Sequence, residues 1–128
     1  GVKLTGPQVG WAEMKRMELF QRMHEFMEEH EFLLCPVSQR PPFDVNQRWV
    51  TEVNGVEMEN FIAWMKSCYY ITATGHPAVS VPCGFTEEGL PVGLQIVGRY
   101  RDDLGVLKLA KAFEDATGFW KILPGVCE

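Results

Sequence analysis

Thr74-Gly75-His76-Pro77-Ala78-Val79-Ser80-Val81-Pro82-Cys83-Gly84-Phe85, then Thr86-Glu87-Glu88, then Gly89-Leu90-Pro91-Val92-Gly93-Leu94-Gln95-Ile96-Val97-Gly98, is the stretch that decides the fold. Val79–Gly84 and Val92–Val97 are rich in Val and Ile, the composition of strands. Glu87-Glu88-Gly89 suits the turn of a hairpin, with glycine supplying a positive φ. Upstream, residues 58–74 read as a helix that Gly75 caps and Pro77 prevents from continuing. Downstream, Asp102 or Asp103 caps a further helix whose buried stripe is Val106, Leu109, Ala110 and Phe113. Gly118 ends it, and Phe119, Trp120, Ile122 and Leu123 follow as an apolar tail.

Working outward toward the start, Leu19, Phe20, Met23, Phe26 and Met27 recur at helical spacing and predict an amphipathic helix over residues 12–31. The stripe reads as core filling, and His30 sits where a cation meets the C-terminal end of the helix dipole. Phe32-Leu33-Leu34-Cys35, closed by Pro36, has the form of a strand covered on both faces. Ser38 to Asn54 shows no periodicity and reads as a long loop, with Asn54-Gly55 marking a turn near its end. Residues 58–74 carry Phe61, Ile62, Trp64, Met65, Cys68, Tyr69, Tyr70 and Ile71. An apolar surface all round a helix implies burial on most sides, which a chain of 128 residues struggles to provide. The order of helix, strand, loop, helix, hairpin strands and helix predicts an α/β fold with a mixed sheet, flanked by helices, in one domain spanning residues 1–128.

Composition narrows the function. Apolar residues make up 46% of the chain, enough for a real core. The net charge of −5 argues against nucleic acid and against an anionic membrane surface as partners. No run of apolar residues is long enough to span a bilayer, and no signal peptide is visible. Cys35, Cys68, Cys83 and Cys127 have neither C-x-x-C spacing nor histidines placed to complete a zinc site. They read as free thiols in a reducing compartment, so the cytoplasm is the expected location and no metal is expected. Residue 1 is Gly, and nothing near it resembles an initiation or targeting signal, which suggests a piece of a longer chain.

A search for chemistry finds no complete constellation. Ser38, Ser67 and Ser80 lie in neither G-x-S-x-G nor S-x-x-K. His76 and Cys83 are seven residues apart across a strand, with no third group to orient them. Gly84 and Gly89 begin the spacing of a phosphate loop, but Leu90 stands where that loop needs Lys, so no cofactor is expected. Asp102-Asp103 is explained as a helix cap, and Lys66 as a side chain that reaches the surface.

The same residues resemble the amidase signature family. Phe32-Leu33-Leu34-Cys35-Pro36-Val37 with Pro41-Pro42-Phe43 is similar to that family's buried strand and the Pro-containing loop after it. Thr74 to Phe85 resembles its most recognisable late motif, Gly89 to Gly98 the strand that follows, and Asp102-Asp103 through Phe113-Glu114 the next helix. The resemblance runs from about Phe32 to Trp120. It departs at Thr72, where many members carry Asn.

That resemblance implies an amide hydrolase using a Ser, cis-Ser and Lys triad. The family's Gly/Ser-rich signature and catalytic Lys belong upstream of the matched region, so no catalytic residue carries over. The chain is then expected to be the C-terminal portion of an amidase, inactive alone and without a cofactor. Its substrate would be a small-molecule amide, and its uncovered sheet and helix faces would favour self-association. By the same analogy, Trp64, Cys68, Ile71 and Thr72 on the second helix form the expected substrate wall. The acid that the glutamine-selective branch places late in that helix is missing from residues 61–73, which favours a neutral or apolar amide. Two alternatives stand beside this one: a non-catalytic interaction or scaffold domain built on the same fold, and a fragment of a glutamyl-tRNA(Gln) amidotransferase A subunit.

Overall fold

The computed structural model describes residues 3–123. Helix α1 (Gly6–Glu29) leads to strand β1 (Phe32–Pro36), then to a short hairpin of β2 (Glu52–Val53) and β3 (Val56–Glu57). A 3-10 turn (Ala63–Met65) opens helix α2 (Lys66–Thr74), which is followed by β4 (Ala78–Phe85), β5 (Pro91–Gly98) and α3 (Asp103–Thr117). The last element is a 3-10 turn over Phe119–Lys121. The α/β character expected from sequence is present. The sheet in this chain is not mixed, however: its order is β1-β5-β4, and both pairings are antiparallel.

Strand β5 lies in the middle, and its last three residues are buried. Ile96 is 1% exposed and Val97 0%. Ile96 faces α3, where it joins Val81, Val106 and Ala110, with Phe32, Val79, Leu94, Leu109 and Phe113 packed around them. Burying two such side chains contributes about 1.5–3 kcal/mol each. The α3 stripe read from sequence is therefore the stripe that docks. Asp102 caps α3 by accepting a hydrogen bond from the Gly105 N–H at 3.0 Å.

Strand β4 is an edge, which accommodates Pro82 because its missing N–H breaks no ladder bond. Between Pro82 and Gly84 the register shifts, leaving Cys83 as the extra residue of a bulge. Strand β1 is the other edge. The run Phe32–Cys35 is therefore not covered on both faces as its composition suggested, and Leu34 is left exposed.

Both long-helix boundaries differ from the sequence reading. Helix α1 begins at Gly6 rather than residue 12, because the Gln8 side chain reaches back to the Thr5 N–H at 2.8 Å, and Pro7 is tolerated in a first turn. At its other end, Arg99 donates from Nε to the carbonyl oxygens of Met27 and His30, at 2.9 and 3.2 Å. His30 Nδ1 lies 2.8 Å from the Phe26 carbonyl, so both side chains serve the negative end of the helix.

Helix α2 begins at Lys66, not residue 58. The Asn60 side-chain oxygen accepts from the Ile62 and Ala63 N–H groups at 3.0 and 3.2 Å. This Asx turn hands the chain to a 3-10 turn instead of an α-helix. Met58 consequently belongs to a second small core with Val50 and Val53, against which Phe43, Trp49, Ala63 and Trp64 pack. The stretch read as a long loop is thus folded around its own apolar cluster, with Asn54-Gly55 as the turn of the β2–β3 hairpin. Nor is α2 buried on most sides: among its described residues only Thr74 is fully buried.

Gly98 is the tightest point between sheet and helix. A Cβ there would overlap Val106 Cγ2. Gly98→Ala is therefore expected to lift α3 from β5 and destabilise the chain by about 1–3 kcal/mol, read as a lower urea midpoint. An unchanged midpoint would contradict the packing described.

Candidate functional site

A cleft opens on the face of the sheet away from α3. Val37 to Pro42, the segment that leaves β1, forms one wall. Ser80, Pro91, Val92 and Gly93 form the floor, and Trp64 closes one side. The cavity measures about 420 Å³. It is mainly apolar, and Arg40 is its one charged lining residue.

Local backbone constraints build it. Val37 is tied to the sheet by its N–H, which donates to the Gly93 carbonyl at 3.3 Å. Its own carbonyl accepts from Ser67 Oγ at 2.8 Å and Cys68 Sγ at 2.9 Å. The Gln39 side-chain oxygen accepts from the Lys66 N–H at 3.0 Å, which satisfies one free donor at the start of α2. These bonds tie the wall to the first turn of α2. A Cβ on Gly93 would come within 3.1 Å of Val37 Cγ2 and 3.2 Å of Ser80 Oγ, so glycine is what lets the wall approach the floor. Cys35, Gln95 and Ser80 stand in one row across the sheet, and Cys35 Sγ donates to Gln95 Oε1 at 3.4 Å.

Of the four residues expected from sequence, only Trp64 lines this cleft. Its ring meets Phe43 edge to face at 5.5 Å. Its indole N–H is buried and finds no acceptor among the described residues. Cys68 is committed to the Val37 carbonyl. Ile71 is half-buried and Thr72 exposed, and neither lines the cleft. The contribution of Val37–Pro42 depends on contacts across about thirty residues of sequence, so no local pattern exposes it.

The serines have no catalytic partner in view. Ser67 is bonded to Val37, and Ser38 Oγ accepts from the Arg40 N–H at 3.4 Å. Among the described residues no base is hydrogen-bonded to Ser80. His76 and Cys83 do not form a pair. His76 is buried with its Nδ1 3.0 Å from the Thr74 carbonyl, packed among Phe20, His24 and Tyr100. Cys35, Cys68 and Cys83 are free thiols, and Cys127 lies outside the described residues. No group of three or more His, Cys, Asp or Glu among those residues is arranged to hold a metal ion. No described helix is long and apolar enough to cross a membrane.

The scaffold thus presents an apolar cleft beside a Pro-containing wall, with no nucleophile–base pair among the described residues. The amidase family model matches residues 5–107, and the chain belongs to that family. It is 34% identical over 113 residues to an acylamidase of Rhodococcus erythropolis, an alignment covering 88% of this chain and 24% of that protein. It is 32% identical over 113 residues to the glutamyl-tRNA(Gln) amidotransferase A subunit of Thermodesulfovibrio yellowstonii, covering 88% of this chain and 22% of that one. Among solved structures, a bacterial aryl acylamidase of the amidase signature family superposes with a TM-score of 0.77 at 28% identity, over 93% of this chain and 25% of that one. The chain thus spans about a quarter of the length of the relatives it matches.

Burial raises the Cys35 thiol above its ordinary 9.0. In an unfolded chain this thiol would ionise first. The associated stability is therefore intact below pH 9 and declines as pH rises through the higher folded value. Mass-resolved alkylation between pH 8 and 10 is expected to label Cys35 more slowly in the folded chain than in denaturant. Equal rates in both would contradict this environment.

Proposed function

We propose that this chain is the C-terminal portion of an amidase that hydrolyses a small carboxamide, and that its triad comes from the part of the domain preceding Gly1. In that reading a Ser hydroxyl adds to the amide carbonyl. A second Ser and a neutral Lys relay the proton, and backbone N–H groups hold the oxyanion. The chain supplies the β1-β5-β4 part of the sheet and the Val37–Pro42 and Trp64 walls of the acyl side. One observation carries the reading: the match spans α1 through the start of α3, yet none of Ser38, Ser67 and Ser80 has a base. The buried, unpaired Trp64 N–H beside the cleft supports a site that other atoms complete. In the same reading the chain works in the reducing cytoplasm, which suits four cysteines without C-x-x-C spacing. Without the remainder, the apolar faces are open to self-association.

The apolar lining and the absence of any acid in residues 61–73 favour a neutral or apolar acyl group over glutamine. The 32% identity to an amidotransferase A subunit keeps the glutamine-dependent reading as the rival. Assaying the intact protein on an apolar acyl anilide and on glutamine side by side separates them. Anilide hydrolysis is expected, and Trp64→Ala is expected to lower its kcat/KM by roughly tenfold or more. Glutamine turnover exceeding anilide turnover would transfer the assignment to the amidotransferase branch. Neither turnover would leave the scaffold reading.

A further inference from the structure

The cleft between the Val37–Pro42 wall and the sheet offers hydrogen-bond donors and no acid. The Gln39 side-chain oxygen is committed to the Lys66 N–H, which leaves its NH2 group to donate. The Trp64 indole N–H is buried without an acceptor among the described residues. Arg40 adds a guanidinium that is in no ion pair among those residues. No carboxylate side chain lines the cleft. Donors left without partners in a cleft call for an occupant that carries acceptors. Arg40 is also held on a stiff stem. Its N–H donates to Ser38 Oγ at 3.4 Å. Pro41 disfavours the helical region for the residue before it, and Pro41-Pro42 fix φ in the two residues beyond. Arg40, Pro41 and Pro42 also line a second cavity of about 380 Å³, whose other residues are Thr86, Glu87 and Glu88 in the β4–β5 connection. Neither glutamate is ion-paired among the described residues. Arg40 thus stands on the ridge between a cavity with acids and a cleft without them.

We infer that the cleft takes an acyl chain that is apolar along its length and ends in a carboxylate, which the Arg40 guanidinium receives. The inference rests on the proposed function and deepens it: the substrate becomes the half-amide of a short dicarboxylic acid. Charge complementarity selects the end group, because a guanidinium fork matches the two oxygens of a carboxylate. The apolar walls suit the methylene chain. In the hydrolysis, water supplies the hydroxyl that the acyl carbon keeps and the proton that the departing nitrogen takes. The products are the dicarboxylate and the free amine. The same cleft disfavours glutamine, which adds an α-ammonium beside its carboxylate. No acid in the cleft or in residues 61–73 would meet that ammonium, and Glu87 and Glu88 lie in the neighbouring cavity. Arg40 is exposed, so solvent screening holds its effect on affinity to roughly tenfold.

The test compares two anilides on the full natural gene product: glutaric acid monoanilide, and valeric anilide, whose chain ends in methyl. Binding is read apart from turnover with the matching benzyl ketones, which carry CH2 in place of the anilide NH and cannot be hydrolysed. By isothermal titration the carboxylate-ended ketone is expected to bind roughly tenfold more tightly than the methyl-ended one. Arg40→Gln is expected to bring that ratio close to one. No bond of the Arg40 side chain to this chain is lost in the exchange, and far-ultraviolet circular dichroism checks that the fold is kept. Glu87→Gln/Glu88→Gln is expected to leave the ratio in place. Equal binding of the two ketones, binding of neither, a ratio that survives Arg40→Gln, or a ratio lost in Glu87→Gln/Glu88→Gln would each overturn the inference. Hydrolysis of the anilides is scored separately. Arg40-dependent binding of the charged ketone without anilide hydrolysis keeps the carboxylate subsite and removes the proposed activity. Hydrolysis of valeric anilide with no preference between the ketones does the reverse.

Discussion

Everything in this chain depends on β5 being bonded on both edges and, over Ile96–Gly98, covered on both faces. Its central position buries Ile96 toward α3 and Val97 toward the opposite side. The same strand fixes the other elements. Its carbonyl at Gly93 holds the wall segment through Val37, and Arg99, just past its end, holds the last carbonyls of α1. Gly93 and Gly98 mark where neighbouring elements come too close for a side chain. Burial of the strand and access to the cleft are thus consequences of one constraint, applied on the two faces of one sheet.

That constraint explains how the chain shapes a cleft although its described residues hold no hydrogen-bonded nucleophile and base. The cleft has an apolar wall, a narrow floor and one arginine, positioned by backbone bonds and by side chains bonded to backbone groups. A substrate wall needs shape and dryness; a triad needs a nucleophile within hydrogen-bond reach of a base. The chain has an apolar cleft and, in its described residues, no such pair. Membership of the amidase family and coverage of about a quarter of the relatives' length agree with such a division.

The parts of the fold readable from sequence are those set by local periodicity and turn chemistry. The β4–β5 hairpin, the left-handed caps at Gly75 and Gly118, the Asp102 cap and the α3 stripe all follow from residues within a few positions of one another. What was not readable depends on distant partners or on local competition. Arg99 reaching the end of α1 spans about seventy residues. Asn60 diverts an apolar run from helix to 3-10 turn, and so sends Met58 into a separate core. Of the residues named from the family resemblance, Trp64 alone lines the cleft. Cys68 proved to be a tie for the wall, and Ile71 and Thr72 lie away from it. The Val37–Pro42 wall became visible only once the sheet register was known.

The central claim is that the chemistry of this domain lies outside the 128 residues. Reading the coding sequence immediately upstream of Gly1 tests it most directly. The account predicts a continuous reading frame that encodes a Gly/Ser-rich segment with paired serines and, before it, a lysine. An in-frame stop codon followed by an initiation codon at the position of Gly1 would contradict it.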